Sequence, residues 1–144
     1  MSTKELQDKL AKTMKQWQAI EEASIKSTTE VIAKTNEPLI KLVMEIIKKD
    51  SESHKAVQAF ILEALEGTVV FSTDGLIEVW DAIEEHLALE RRMVGYVQEA
   101  LADLAGTKMV IPEYLLTYLK EDEQKHDNLL ASLESLKRGM YPYA

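Results

Sequence analysis

The sequence predicts an all-α protein, an antiparallel four-helix bundle of up-and-down topology. Three observations predict it. Apolar residues recur at three- and four-residue spacing over long stretches. Only 5 Gly and 3 Pro punctuate 144 residues, far fewer than the turns of a β architecture demand. Those few breakers divide the chain into four segments, each long enough to pack lengthwise on the others. The length fits a single domain, residues 1–139, followed by a tail over 140–144.

The first helix is expected over 2–34, with Ser2 as N-cap and Glu5 completing a capping box. Asn36-Glu37-Pro38 ends it, because a proline disfavours helix at the preceding residue and suits the first turn of the next. The second helix runs over 38–66 and stops at Gly67. Thr68 to Ser72 (TVVFS) is β-like but too short to build a sheet. Thr73 or Asp74 caps a third helix over 74–105, which Gly106 terminates. Pro112 opens the fourth, over 112–138. Residues 67–73 reach about 23 Å when extended, whereas a crossover along helices of this size needs about 40 Å. That difference selects the up-and-down order. A short internal echo, Trp17-Gln18-Ala19-Ile20-Glu21-Glu22 against Trp80-Asp81-Ala82-Ile83-Glu84-Glu85, is compatible with a duplicated hairpin.

Composition removes several function classes. A net charge of -8 argues against nucleic-acid binding. No apolar run approaches the roughly 18 residues that span a bilayer. The opening residues carry no apolar h-region, so no secretory signal and a cytoplasmic location are expected. The absence of Cys excludes disulfide scaffolds, thiolate metal sites and thiol catalysis. There is no Gly-rich phosphate loop, Gly-x-Ser-x-Gly or His-Glu-x-x-His.

The informative feature is what interrupts the apolar stripes. The second helix reads Val43, Ile47, Asp50, His54, Val57, Ile61. The third reads Leu76, Val79, Ile83, His86, Glu90, Met93, Val97. The fourth reads Leu116, Leu119, Glu123, His126, Leu130, Leu133. The first helix is anchored by Leu10, Met14, Trp17, Ile25 and Ile32, with Glu21 and Glu22 beside them. All three histidines of the chain therefore fall on core-facing stripes, as do Asp50, Glu90 and Glu123.

Height can be read from the loops, since residues equidistant from a hairpin's centre lie level. With centres near residues 36, 70 and 108, one layer holds Glu22, Asp50, Glu90 and His126. His54 and His86 lie one turn to one side, and Glu123 about one turn to the other. Turns about 5–6 Å apart suit two metal ions sharing carboxylates. Clustered carboxylates in an apolar interior repel one another and are costly to desolvate. No Lys or Arg on the stripes neutralises them, and divalent cations would. Mixed imidazole and carboxylate ligands suit iron first, with manganese or zinc as alternatives. The expected metal ligands are Glu22 (or its neighbour Glu21), Asp50, His54, His86, Glu90, Glu123 and His126.

These residues resemble two families. Asp50-Ser51-Glu52-Ser53-His54, Glu85-His86-Leu87-Ala88-Leu89-Glu90 and Glu123-Gln124-Lys125-His126 are similar to the hemerythrin-type HHE cation-binding domain. Glu90 with Glu123-x-x-His126 also resembles the half-site of ferritin-like, rubrerythrin-type proteins. In the other half, Ser51-x-x-His54 has serine where that pattern has glutamate. Both resemblances imply a non-haem di-iron site that handles dioxygen, peroxide or iron, with oxidase- or peroxidase-type activity as one form of it. The competing expectation is a metal-free helical interaction module whose buried polar layer fixes helix register, with Asp50–His54 and His86–Glu90 as hydrogen-bonded pairs. Ser24, Ser27, Thr28 and Thr29 either permit close helix packing, the favoured reading, or line a small pocket. Val69, Val70 and Phe71 suggest a homodimer contact.

Overall fold

The computed structural model describes residues 1–69 and 71–140. It contains four α-helices: α1 (Thr3–Lys34), α2 (Pro38–Leu65), α3 (Thr73–Leu104) and α4 (Val110–Met140). Among the described residues there is no strand, and Val69, Phe71 and Ser72 are irregular. The chain divides into two compact units, Met1–Phe71 and Ser72–Ala144. Each is a helical hairpin, α1 on α2 and α3 on α4. No described helix is long and apolar enough to cross a membrane.

In the first hairpin the expected capping box is present. The Glu5 amide donates to Ser2 Oγ, and the Ser2 amide donates to the Glu5 carboxylate. Pro38 takes the first turn of α2, where its missing N–H costs no helical bond. Cross-links fall in antiparallel order: Gln18 Nε2 donates to the Lys55 carbonyl, and Ser51 Oγ donates to Ser24 Oγ at 2.9 Å. Thr28 is buried, and its hydroxyl donates back to the carbonyls of Ser24 and Ile25 on its own helix. These small hydroxyls thus serve close packing, satisfying themselves while the partner helix approaches.

In the second hairpin the N-cap of α3 is Ser72, whose Oγ accepts from the Gly75 amide at 3.1 Å. The expected caps, Thr73 and Asp74, lie inside the helix. A serine one residue earlier offers the same oxygen to the same orphan amides and so starts the helix sooner. Gly106 follows α3 with φ +78°, the left-handed conformation expected of a residue just past a helix end. α4 starts two residues before Pro112, which leaves that proline in the first turn, and it runs to Met140. Residues 141–144 of the expected tail lie outside the described residues, as does Val70. Its neighbours Val69 and Phe71 are half-buried.

A Cβ at Gly106 would meet nothing within 4 Å, so Gly106→Ala tests the backbone alone. It should cost about 1 kcal/mol, read as a lower urea midpoint with unchanged slope.

The apolar side chains buried most fully are Met14, Leu76 and Val97. The buried polar set is larger: Glu21, Thr28, Ser51, Gln58 and Glu90. Hydrocarbon normally dominates a helix–helix interface. Here its centre is occupied by groups that need hydrogen-bond or ionic partners.

Candidate metal centre

The second hairpin brings together Glu90 of α3 with Glu123 and His126 of α4. One ligand atom from each lies within 4.8 Å of the other two. The loop over 105–109 sets this height: 90 and 126 are equidistant from residue 108, as expected. The spacing of Glu123 and His126, three apart, sets the facing, since i and i+3 share a helix face.

Glu90 is the hub, 3% exposed. Its Oε1 lies 2.9 Å from His86 Nε2 and 3.3 Å from His126 Nδ1. His126 Nδ1 is also 3.7 Å from Glu123 Oε2. Oε2 of both glutamates is buried without a hydrogen-bond partner. Among the described residues the only basic groups at ion-pair distance from either glutamate are these histidines. Two buried acceptors with no donor between them are a costly arrangement unless something positive is added.

A proton is the minimum addition. The neighbouring Glu90 carboxylate, and then burial, push the Glu123 carboxyl above its ordinary range. Glu90 is held below its ordinary range, chiefly by the adjoining Glu123 carboxyl and further by His86, against the opposing effect of burial. Of the two acids, Glu123 is therefore the one that takes up a proton first as pH falls. A cation at the same place satisfies both oxygens without leaving either acid neutral.

The first hairpin is built differently. Glu21, 7% exposed, has Oε2 2.9 Å from His54 Nδ1. Glu22, expected as the first-helix ligand, is exposed and pairs with Lys55 instead. Consecutive helical residues point about 100° apart, so Glu21 enters the interface with α2 while Glu22 reaches Lys55 at its exposed edge. The hairpin's centre also lies beyond 36. Ser24 meets Ser51 and Glu21 meets His54, pairs whose midpoint is 37.5, which moves the level of Asp50 away from that of Glu22. Asp50 is half-buried, and its side chain has no hydrogen bond or ion pair among the described residues. Ser51, one turn before His54, is buried and already bonded to Ser24, so it adds no charge. Beside His54 lies an almost wholly apolar cavity of about 210 Å³, lined by Met14, Trp17, Val57, Gln58 and Ile61.

Of the seven expected ligands, Glu90, Glu123 and His126 form a three-donor group. His86 joins it through Glu90 rather than as a fourth converging donor, and His54 pairs with Glu21; both rings are more than half exposed, at the edge of their stripes and not in the core as expected. Asp122 was not among the expected residues. Its Oδ2 is 3.5 Å from His126 Nε2 and its Oδ1 is 2.8 Å from Lys125 Nζ. Arg91 lies 3.5 Å from Asp127.

No family model, curated protein or solved structure matches the chain.

Proposed function

We propose that the protein binds divalent transition-metal ions through Glu90, Glu123 and His126, and that it handles dioxygen, peroxide or iron at that centre. One observation carries the reading. Three donors of metal-ligand type converge within 4.8 Å, and both carboxylates keep a buried oxygen without a partner. Imidazole with two carboxylates is a ligand set suited to iron, manganese or zinc. The sequence resemblance to hemerythrin-type and ferritin-like proteins adds non-haem iron, two ions and oxidase- or peroxidase-type chemistry. The metal-free interaction module accounts for the His86–Glu90 hydrogen bond, but it supplies no partner to the Oε2 atoms of Glu90 and Glu123, nor a hydrogen bond to that of Glu21. Exposed apolar side chains on the helices, including Phe60, Tyr96 and Leu129, support a homodimer as part of the proposal.

Metal uptake tests it. Protein stripped with chelator and titrated with Fe(II) without oxygen, or with Zn(II), should bind stoichiometrically. Binding to the native state alone stabilises it by about 2.7 kcal/mol at a hundredfold excess over the dissociation constant. The thermal midpoint should therefore rise with added metal and fall back with chelator. A midpoint indifferent to both, in protein that retains no metal on purification, favours the interaction module.

A further inference from the structure

We propose that Asp122 is the positioning residue of the α4 histidine: it takes the Nε2 proton of His126 in a hydrogen bond and so leaves Nδ1 as the ligating atom. The inference rests on the cation-binding reading above and assigns a role within that site.

The two ring nitrogens of His126 face different surroundings. Nδ1 is turned to Glu90 and Glu123, at 3.3 and 3.7 Å. Nε2 is turned to Asp122 Oδ2, one helical turn back, at 3.5 Å. A neutral imidazole carries one N–H, and only the other nitrogen has a lone pair to give a metal. Which nitrogen that is depends on what its opposite number bonds. Glu90 alone would draw the proton to Nδ1 and so occupy the atom the site needs. A carboxylate at Nε2 offers that proton a second acceptor, which leaves Nδ1 free for a cation, and its charge makes the ring a stronger donor.

Asp122 is equipped for this and not for ligation. It stands outside the three-donor group. Its other oxygen, Oδ1, is held by Lys125 Nζ at 2.8 Å, which keeps Oδ2 turned to the ring. Lys125, Asp122 and His126 occupy a single turn of α4, so the arrangement depends on that helix alone. His86 does the equivalent for Glu90, whose Oε1 it engages at 2.9 Å while Oε2 stays without a partner.

The test is Zn(II) affinity, measured by competition with a chromophoric chelator, for wild type, Asp122→Ala, Asp122→Asn, Asp122→Glu and His126→Ala. Outer partners of metal-bound histidines typically contribute about 10–100-fold to affinity. Asp122→Ala should lose that much. Asp122→Asn, which still accepts a hydrogen bond but carries no charge, should lose less, and Asp122→Glu should recover part of the loss. Long-range ¹⁵N–¹H spectra of the zinc-loaded wild type should show His126 bound through Nδ1 with a proton on Nε2. Unchanged far-ultraviolet circular dichroism of the metal-free variants separates positioning from unfolding. Wild-type affinity in Asp122→Ala, beside loss in His126→Ala, overturns the role of Asp122 and leaves the metal centre standing. So does zinc on Nε2. A wild type that takes up no zinc removes the metal centre and this inference with it.

Discussion

Glu123→Gln is expected to abolish metal binding and, in the same molecule, to make the metal-free protein more stable. The two effects have one cause. Glu123 supplies one of three donors, and an amide is a far poorer metal ligand than a carboxylate. Affinity should fall by more than the roughly 10–100-fold that outer partners typically contribute. Without metal, the wild-type carboxylate is a buried acid beside a second buried acid, and it is held above its ordinary value by that neighbour and by burial. A group whose value is raised on folding favours the folded state while it is protonated. It loses that contribution as pH rises through the raised value. The metal-free wild type should therefore lose stability in the window above 4.5, the ordinary value of this carboxyl. Glutamine keeps an N–H for Glu90 at every pH. The variant should gain about 1–2 kcal/mol over wild type at pH 8 and little at pH 4.5. Urea unfolding at the two values measures it. A variant less stable than metal-free wild type at pH 8 would assign Glu123 a structural role.

The opposite expected signs have a counterpart in the sequence, where the candidate residues stand out. A stripe that places acids among leucines is a departure from what folding alone favours, and such departures mark groups retained for another purpose. Glu90 and His126 were legible as neighbours because the 105–109 loop is short and centred on one residue. Gly67 and Gly106 ended helices as expected, since both adopt the left-handed backbone that glycine adopts most readily.

What was not legible has equally local reasons. Glu21 and Glu22 are adjacent, so an error of one residue in facing exchanges the buried acid for the one that meets Lys55. The displaced centre of the first hairpin compounds it, because a centre at 37.5 in place of 36 moves the partner of every residue by three. Asp122 lies within Glu121-Asp122-Glu123, where three consecutive acids give no sign of which faces Glu90 and which faces Nε2 of His126. Only the side-chain geometry separates them. His86, on the same stripe as Glu90, looked like a ligand because i and i+4 share a face. The pairing that spacing permits was with Glu90 itself.

Ser51→Glu is expected to give the first hairpin a metal site that it lacks. The second hairpin combines a buried glutamate on its first helix with Glu-x-x-His on its second. The first hairpin has the glutamate, Glu21, and the histidine, His54, but Ser51 at the remaining position. Ser51 is 4% exposed and bonded to Ser24, so a longer side chain must displace a close helix contact. Overpacking of this kind costs about 1–3 kcal/mol, and the added carboxylate enters a hairpin interface that already buries Glu21. The metal-free variant should be destabilised by at least that amount, with a lower thermal midpoint than wild type. Zinc should restore it, because the ion supplies the charge that Glu21 and the new acid both need. Combining the change with Glu123→Gln isolates the new site: the double variant should bind one zinc ion, lost again on changing His54 to alanine. A double variant that stays destabilised and takes up no zinc would show that the close approach of α1 and α2, set by Ser24, Thr28 and Ser51, prevents an added carboxylate at position 51 from joining Glu21 and His54. The serine would then hold the first hairpin metal-free by shape as well as by charge.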